Sequence, residues 1–278
     1  MHDEAYDRIY LGDQPVLVAA PHVGKVVPDE LMRLPAWQSV HERSADPAGE
    51  RFLEAAAGLR ISCIAARAHP CVIDVNAAAD SQAVGSELGR NALCRTHAPS
   101  GDMLYSDAGE PSEDDVRRRI QRFWVPYHDA LRAELQRLRA AHDDVLLLVS
   151  HASSRLAPYR AAYRASDCNV GTNRGASSSR RFVTALTQTV QRSGRSWVVN
   201  SQLADSFAAQ HYGCPIDGIH VVEVEVAGNW RQDCTESPAG ASVVDEFAAV
   251  LAGLLDELPL SRTPNWAVRA GSQMGRSR

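Results

Sequence analysis

The chain has 278 residues, 45% of them hydrophobic and 23% charged, with a formal net charge of -5. That length buries a substantial core, and the composition is that of an ordinary soluble globular protein. The negative balance leaves no basic footprint for nucleic acid. No apolar run approaches a membrane span, and the opening Met1-His2-Asp3-Glu4 does not read as a signal peptide. The six cysteines (Cys63, Cys71, Cys94, Cys168, Cys214, Cys234) form no CxxC pair. Reduced, structural thiols in a cytoplasmic protein are expected, and a zinc site built on cysteine is not. The one cationic cluster, Arg117-Arg118-Arg119 with Arg122, is interleaved with Asp114 and Asp115 and reads as a solvated helix face.

In chain order, residues 15–20 form a short buried strand running into Pro21-His22-Val23-Gly24, and a helix start follows at Pro28. An alanine-rich helix covers 51–59. Residues 61–66 and 71–75 read as two neighbouring strands, the second ending in Asp74-Val75-Asn76. Residues 77–111 lack periodicity and read as a long loop of the kind that serves as a lid. Ser112 caps a long helix whose stripe runs Val116, Ile120, Phe123, Tyr127, Leu131, Leu135, Leu138, with Pro126 expected to kink or divide it.

The five apolar residues Val145-Leu146-Leu147-Leu148-Val149 predict a central strand buried on both faces, ending in Ser150-His151. A glycine-bearing loop is expected over 167–178, a helix over 179–191 and a strand near 197–200. Residues 219–226 alternate as a strand with Glu223 and Glu225 on one face, and an amphipathic helix over 242–258 closes the fold. Strands alternating with helices predict one α/β domain over residues 1–259, with a mixed, largely parallel sheet between helical layers. Residues 260–278 are expected to be a loosely held polar, basic tail.

In open α/β sheets ligands bind at the carboxyl ends of strands. His22, His151 and Glu225 each end a strand, and Asn76 ends a fourth. Two histidines and a carboxylate are a common zinc ligand set, with a further glutamate as general base. Spacing alone leaves satisfied structural histidines as an equal alternative. A Ser150 or Ser153 nucleophile is disfavoured, because the chain has no Gly-x-Ser-x-Gly elbow.

The ordered motifs resemble the N-formylglutamate amidohydrolase family, which is related to the zinc carboxypeptidases. They are Ala20-Pro21-His22-Val23-Gly24 with Pro28, Val72-Ile73-Asp74-Val75-Asn76, Leu93-Cys94 through Leu104-Tyr105, and Trp124-Val125-Pro126-Tyr127-His128-Asp129-Ala130-Leu131. Ser150-His151, Asn169-Val170-Gly171-Thr172, His211-Tyr212-Gly213-Cys214-Pro215 and Gly218-Ile219-His220 through Glu225 complete the set. Each motif is short, but the colinear set spans roughly residues 14–257.

The resemblance implies a three-layer, carboxypeptidase-like α/β fold and a Zn2+ cofactor. It implies His22 and His151 as metal ligands and Glu225 as the catalytic carboxylate. Lys25 stands where a carboxypeptidase has its glutamate, so Asp46 is expected to complete the shell, with Glu50 in reserve; Asp46 also suits a plain helix N-cap. Asp74 and Glu223 are expected to stand behind the ligands, and Asn76 to orient substrate.

Departures from the family pattern concern the substrate. Ala77 replaces an arginine, His69-Pro70 a Ser-Arg pair, Val149 an aspartate, and Ala152 a serine. Residues 202–207 lack the family's Arg-x-Lys-Gly-Gly-Tyr. Arginine is the natural bidentate partner of a carboxylate, so these losses speak against free N-formylglutamate as substrate. Arg174 is the expected replacement cation, although an exposed loop arginine is the plainer reading. The activity expected is zinc-dependent hydrolysis of a non-peptide C–N amide in a small N-formyl or N-acyl amino acid. The alternatives are a degenerate member that binds without hydrolysing, and an amidohydrolase for a modified peptide or biosynthetic intermediate.

Overall fold

The computed structural model describes residues 6–80, 84–85, 92–98, 101–105, 109–152, 166–236 and 241–258. The expected tail and the middle of the expected lid loop lie outside them. Strands β1 (Tyr6–Tyr10), β2 (Val16–Ala20) and β3 (Ser62–Ala66) enclose helices α1 (Asp29–Met32) and α2 (Pro47–Gly58). A short parallel pair follows, β4 (Val84–Gly85) with β5 (Cys94–Arg95). Helices α3 (Glu113–Arg119) and α4 (Val125–Ala141) lead to β6 (Val145–His151), β7 (Cys168–Gly171), α5 (Arg180–Arg192) and β8 (Trp197–Val199). Then come α6 (Phe207–Tyr212), β9 (Ile219–Val226), α7 (Gly228–Glu236) and α8 (Ala241–Leu255).

Seven of these strands form one mixed sheet in the order β1-β3-β2-β6-β9-β7-β8. The β3-β2-β6-β9 centre is parallel throughout, which aligns the carboxyl ends of β2, β6 and β9 along one edge. The sequence explains β6's place. Val145 to Leu148 are wholly buried, with odd positions packing under α4 beside Tyr127, Leu131, Leu135 and Leu138. Even positions pack under α2, α5 and α8 beside Phe52, Phe182 and Phe247. A strand apolar on both faces is stable only between two helical layers. All six cysteines are free, five of them buried. Among the described residues no helix is long and apolar enough to cross a membrane.

Local chemistry sets the helix boundaries. The Ser112 hydroxyl accepts from the Asp115 amide while the Asp115 carboxylate takes the Ser112 N–H, a reciprocal cap at the start of α3. Pro126 divides the long helix as expected. It lacks an N–H for the preceding turn, and residues Ile120–Trp124 widen into a π-turn before α4 resumes.

Two expectations require correction. Residues 71–75 are not a strand: the segment is buried but irregular, because its backbone groups bond to loops and side chains instead of a neighbouring strand. The Cys71 amide donates to His69 Nδ1 (3.1 Å), the Asp74 amide to the Leu93 carbonyl (2.7 Å), and the Val72 carbonyl accepts from Arg119 (2.9 Å). Residues 168–171, expected within a loop, form β7, antiparallel to β9 and parallel to β8. Polar Asn169 hides a four-residue strand whose Cys168 and Val170 face the core. Strands β1, β4 and β5 and helices α6 and α7 were not expected from the sequence; β4 and β5 pair within residues 77–111, which were read as one long loop.

Replacing Leu148 by Ala should destabilise the fold by about 2–5 kcal/mol, because a fully buried side chain between packed layers leaves a cavity. The urea-unfolding midpoint should drop with an unchanged slope, and a wild-type midpoint would contradict β6 as the core strand.

Candidate active site

The carboxyl ends of β2, β6 and β9 bring His22, His151, Glu223 and Glu225 to one edge of the sheet, and the irregular 71–77 segment adds Asp74 and Asn76. His151 lies in register with Glu225, and Val149 with Glu223, so these side chains share the α4 face of the sheet. The His22 and His151 rings meet edge to face, 4.7 Å between centroids.

Ala152 connects the two histidines through its backbone. Its amide donates to His22 Nδ1 (3.0 Å), and its carbonyl accepts from His151 Nδ1 (3.0 Å). The first bond fixes the tautomer of His22: Nδ1 accepts, so Nε2 carries the hydrogen and donates to Asp74 Oδ1 (2.8 Å). His151 carries its hydrogen on Nδ1, and its Nε2 has no hydrogen-bond partner among the described residues. Burial lowers the pKa of His151, with His22 adding to the effect against the opposing charges of Glu223 and Asp74. The ring is therefore neutral at pH 7 and its lone pair available.

Asp74 Oδ1 also accepts the Asn76 amide (2.9 Å), and Oδ2 accepts from Arg95 Nη2 (2.8 Å). Burial by itself would raise the pKa of Asp74, but the contacts with His22 and Arg95 overcome it and hold the carboxyl far below the usual range. Glu223 is wholly buried and takes the Asn76 side-chain amide on Oε2 and the Ala209 backbone amide on Oε1, both at 2.9 Å. Glu225 accepts from Asn169 Nδ2 (3.1 Å) on β7.

Asp46 stands apart from this group. Strand alternation puts Ser150 on the sheet face opposite His151, and the Ser150 hydroxyl donates to Asp46 Oδ2 (2.5 Å). Asp46 is the residue preceding α2, but its side chain caps no amide there. Its Oδ1 is buried with no partner among the described residues. Gly49 makes room for it, since a Cβ there would lie 2.5 Å from Asp46 Oδ2. Glu50 pairs with Lys25 at 2.7 Å on the surface. Arg174 is not brought to the cluster: its exposed guanidinium grips both oxygens of Asp205 (2.9 and 2.7 Å).

The fold supplies four residues that were not singled out as site residues. Arg95 and Asn169 contact Asp74 and Glu225. Arg231, on α7, donates to the Ala45 carbonyl (3.2 Å) and has a buried Nη1 with no partner among the described residues. Burial lowers its pKa, opposed by the charges of Asp46 and Glu225. His128 donates from Nε2 to the Val75 carbonyl (2.8 Å) and accepts the Tyr212 hydroxyl, pinning the segment between Asp74 and Asn76. Asn169 and His128 lie within the matched motifs and Arg95 within the matched stretch from Leu93 to Tyr105; Arg231 carried no pattern.

Among the described residues no three His, Cys, Asp or Glu side chains are gathered to hold a metal ion. The donor chemistry nevertheless suits one. Each histidine gives one ring N–H to a carboxylate or carbonyl, as metal-bound imidazoles do. Asp46 has an orphaned buried oxygen, and four buried carboxylates (Asp46, Asp74, Glu223, Glu225) crowd this edge of the sheet.

The sequence profile of the N-formylglutamate amidohydrolase family matches residues 14–230. The chain belongs to this family. It is 28% identical over 228 residues to an N-formylglutamate deformylase of Pseudomonas putida, covering 81% of this chain and 84% of that protein. It is 27% identical over 250 residues to one of Pseudomonas aeruginosa, covering 89% and 93%. The fold is similar to the crystal structure of an N-formylglutamate amidohydrolase from Ralstonia eutropha JMP134, with a TM-score of 0.66 at 18% identity over 91% of this chain and 98% of that one. It also resembles a gene product of Agrobacterium tumefaciens, with a TM-score of 0.67 at 15% identity over 91% and 94%.

The site predicts an acid sensitivity of this family member. Burial is the main cause that lowers the pKa of both His69 and His128 to about 3. Between that value and the unfolded pKa near 6.5 the unfolded chain binds more protons than the native one. Their contribution is therefore complete above pH 6.5 and is lost as pH falls toward 3, by up to about 1.4 kcal/mol per pH unit for each histidine. Urea unfolding at pH 7 and pH 5 should show lower stability at pH 5, with a shallower dependence in His128→Phe. An equal dependence in that variant would remove His128 from this account.

Proposed function

We propose that the protein is a zinc-dependent amidohydrolase that cleaves the C–N bond of a small N-formyl or N-acyl amino acid, with N-formylglutamate, named for its relatives, as the first substrate to test. The reading is carried by the meeting of His22 and His151, oriented through Ala152 and Asp74, beside Glu225 at the carboxyl edge of the sheet. His22 through Nδ1, His151 through Nε2 and Asp46 through its orphaned Oδ1 are the proposed ligands. For His22 this means exchanging the Ala152 amide for the metal. A bound zinc would supply Lewis acidity and bring the pKa of a bound water toward 7.

The protein's own groups do the rest. Glu225, steadied by Asn169, accepts a proton from the attacking water and passes it to the amide nitrogen as the C–N bond breaks. For a formamide the products are formate and the free amine, which accounts for both hydrogens of the water. Asp74 keeps the His22 ring in one tautomer, and His128 and Glu223 hold Val75 and Asn76, so Asn76 is positioned to orient substrate. A member that binds without turnover is the second reading, favoured by the lack of a gathered three-ligand cluster among the described residues.

Glu225→Gln should cut kcat by about 10²–10⁴-fold while zinc content, measured by mass spectrometry, stays at the wild-type level. Retained turnover would remove Glu225 from its role. Dialysis of the wild-type protein against a chelator should abolish hydrolysis of N-formylglutamate, and added zinc should restore it. A purified protein that neither contains nor takes up metal would favour the binding-only reading.

A further inference from the structure

The family arginine is replaced here by Ala77, which is buried in the core and whose carbonyl accepts the Trp124 indole N–H at 2.9 Å. Arg174 is committed to Asp205 on the surface. Arg119 is spent on the Val72 carbonyl and the Tyr105 hydroxyl, and Arg231 is held at the Ala45 carbonyl beside Asp46. Arg95 differs from all of these. It comes from β5, reaches the Asp74 oxygen that His22 does not use, and keeps 23% of its side chain exposed. One carboxylate therefore joins His22 to the Arg95 guanidinium.

The fork of Arg95 is underused. Its Nη2 carries two hydrogens and makes one bond, to Asp74, while Nε is buried with no acceptor among the described residues. A buried donor left unpaired is costly and calls for an acceptor that the described residues do not provide. Guanidinium donors spaced in this way match the two oxygens of a carboxylate. Every N-formyl amino acid carries a carboxylate, and N-formylglutamate carries two.

We propose that Arg95 holds a carboxylate of the substrate and so takes over, from a different segment of the chain, the anchoring lost at Ala77. The assignment rests on the amidohydrolase reading above. It makes the preferred substrate class an anionic N-acyl amino acid, with Asp74 orienting both the histidine and the anchor.

The test compares wild type, Arg95→Met and Arg95→Lys on N-formyl-L-glutamate, N-formyl-L-glutamine and N-formyl-4-aminobutyrate, with calorimetric titration of L-glutamate into each protein. The glutamine compound keeps only the α-carboxylate and the aminobutyrate compound only the distal one. Arg95→Met should lower kcat alike on all three substrates, because Asp74 loses a partner, and should in addition raise KM by about 10–100-fold for substrates bearing the anchored carboxylate. The substrate lacking that group should show the common loss in kcat with an unchanged KM, which also tells which carboxylate is held. L-Glutamate affinity should fall in parallel, and Arg95→Lys should recover part of the loss because it keeps charge but not the fork. An equal loss of kcat/KM on all three substrates would overturn the assignment and make Arg95 a buttress of Asp74, leaving the hydrolytic reading standing. Arg95-dependent L-glutamate binding without turnover of any substrate would support the anchor and sink the hydrolytic reading. Should Arg95→Met fail to fold, wild-type L-glutamate affinity in Arg95→Lys would overturn the assignment by itself.

Discussion

Asp74 is buried in an irregular segment, yet both of its oxygens are engaged: Oδ1 by His22 and the Asn76 amide, Oδ2 by Arg95. A charged carboxylate survives in such a place only when its partners replace the water it has lost. The consequence runs in both directions. Asp74 sets the tautomer of His22, and His22 with Arg95 keeps Asp74 ionised. The segment itself is held by His128 at Val75 and by the Leu93 carbonyl at Asp74, so α4 and the β5 region both bear on the geometry of one histidine.

The parallel centre of the sheet gives the site its other constraint. Because β2, β6 and β9 run in the same direction, their ends collect polar side chains on one edge, and strand alternation then sorts those side chains by face. His151, Glu223 and Glu225 fall on the α4 face, whereas Ser150 falls on the other and meets Asp46 there. Asp46 and Arg231 thus approach the edge from the α2 and α7 side. Each carries a buried polar atom without a partner among the described residues. Four buried carboxylates beside two histidine rings form an electrostatic setting suited to a cation.

Much of this was legible from the chain. The apolar run of β6 required two covering layers, and the polar residues after β2, β6 and β9 stood out because they interrupt buried strands. Ser112 and Pro126 acted locally and could be read locally. Residues 71–75 misled because burial alone makes an apolar run, and only the paths of its backbone hydrogen bonds distinguish a strand from a pinned loop. Strand β7 was hidden by Asn169, whose polarity serves Glu225 and says nothing of pairing.

By itself the sequence determined the layered α/β fold, the central strand and the histidines and glutamate at its carboxyl edge, because these depend on periodicity and on short-range chain direction. The tertiary structure alone decided which charges meet. Asp74 is bound to Arg95, 21 residues on, and to His22, 52 residues back, while Arg174 is drawn off to Asp205. Contacts of that kind arise from the packing of loops onto the sheet edge, where no repeat in the sequence announces which side chain will reach which.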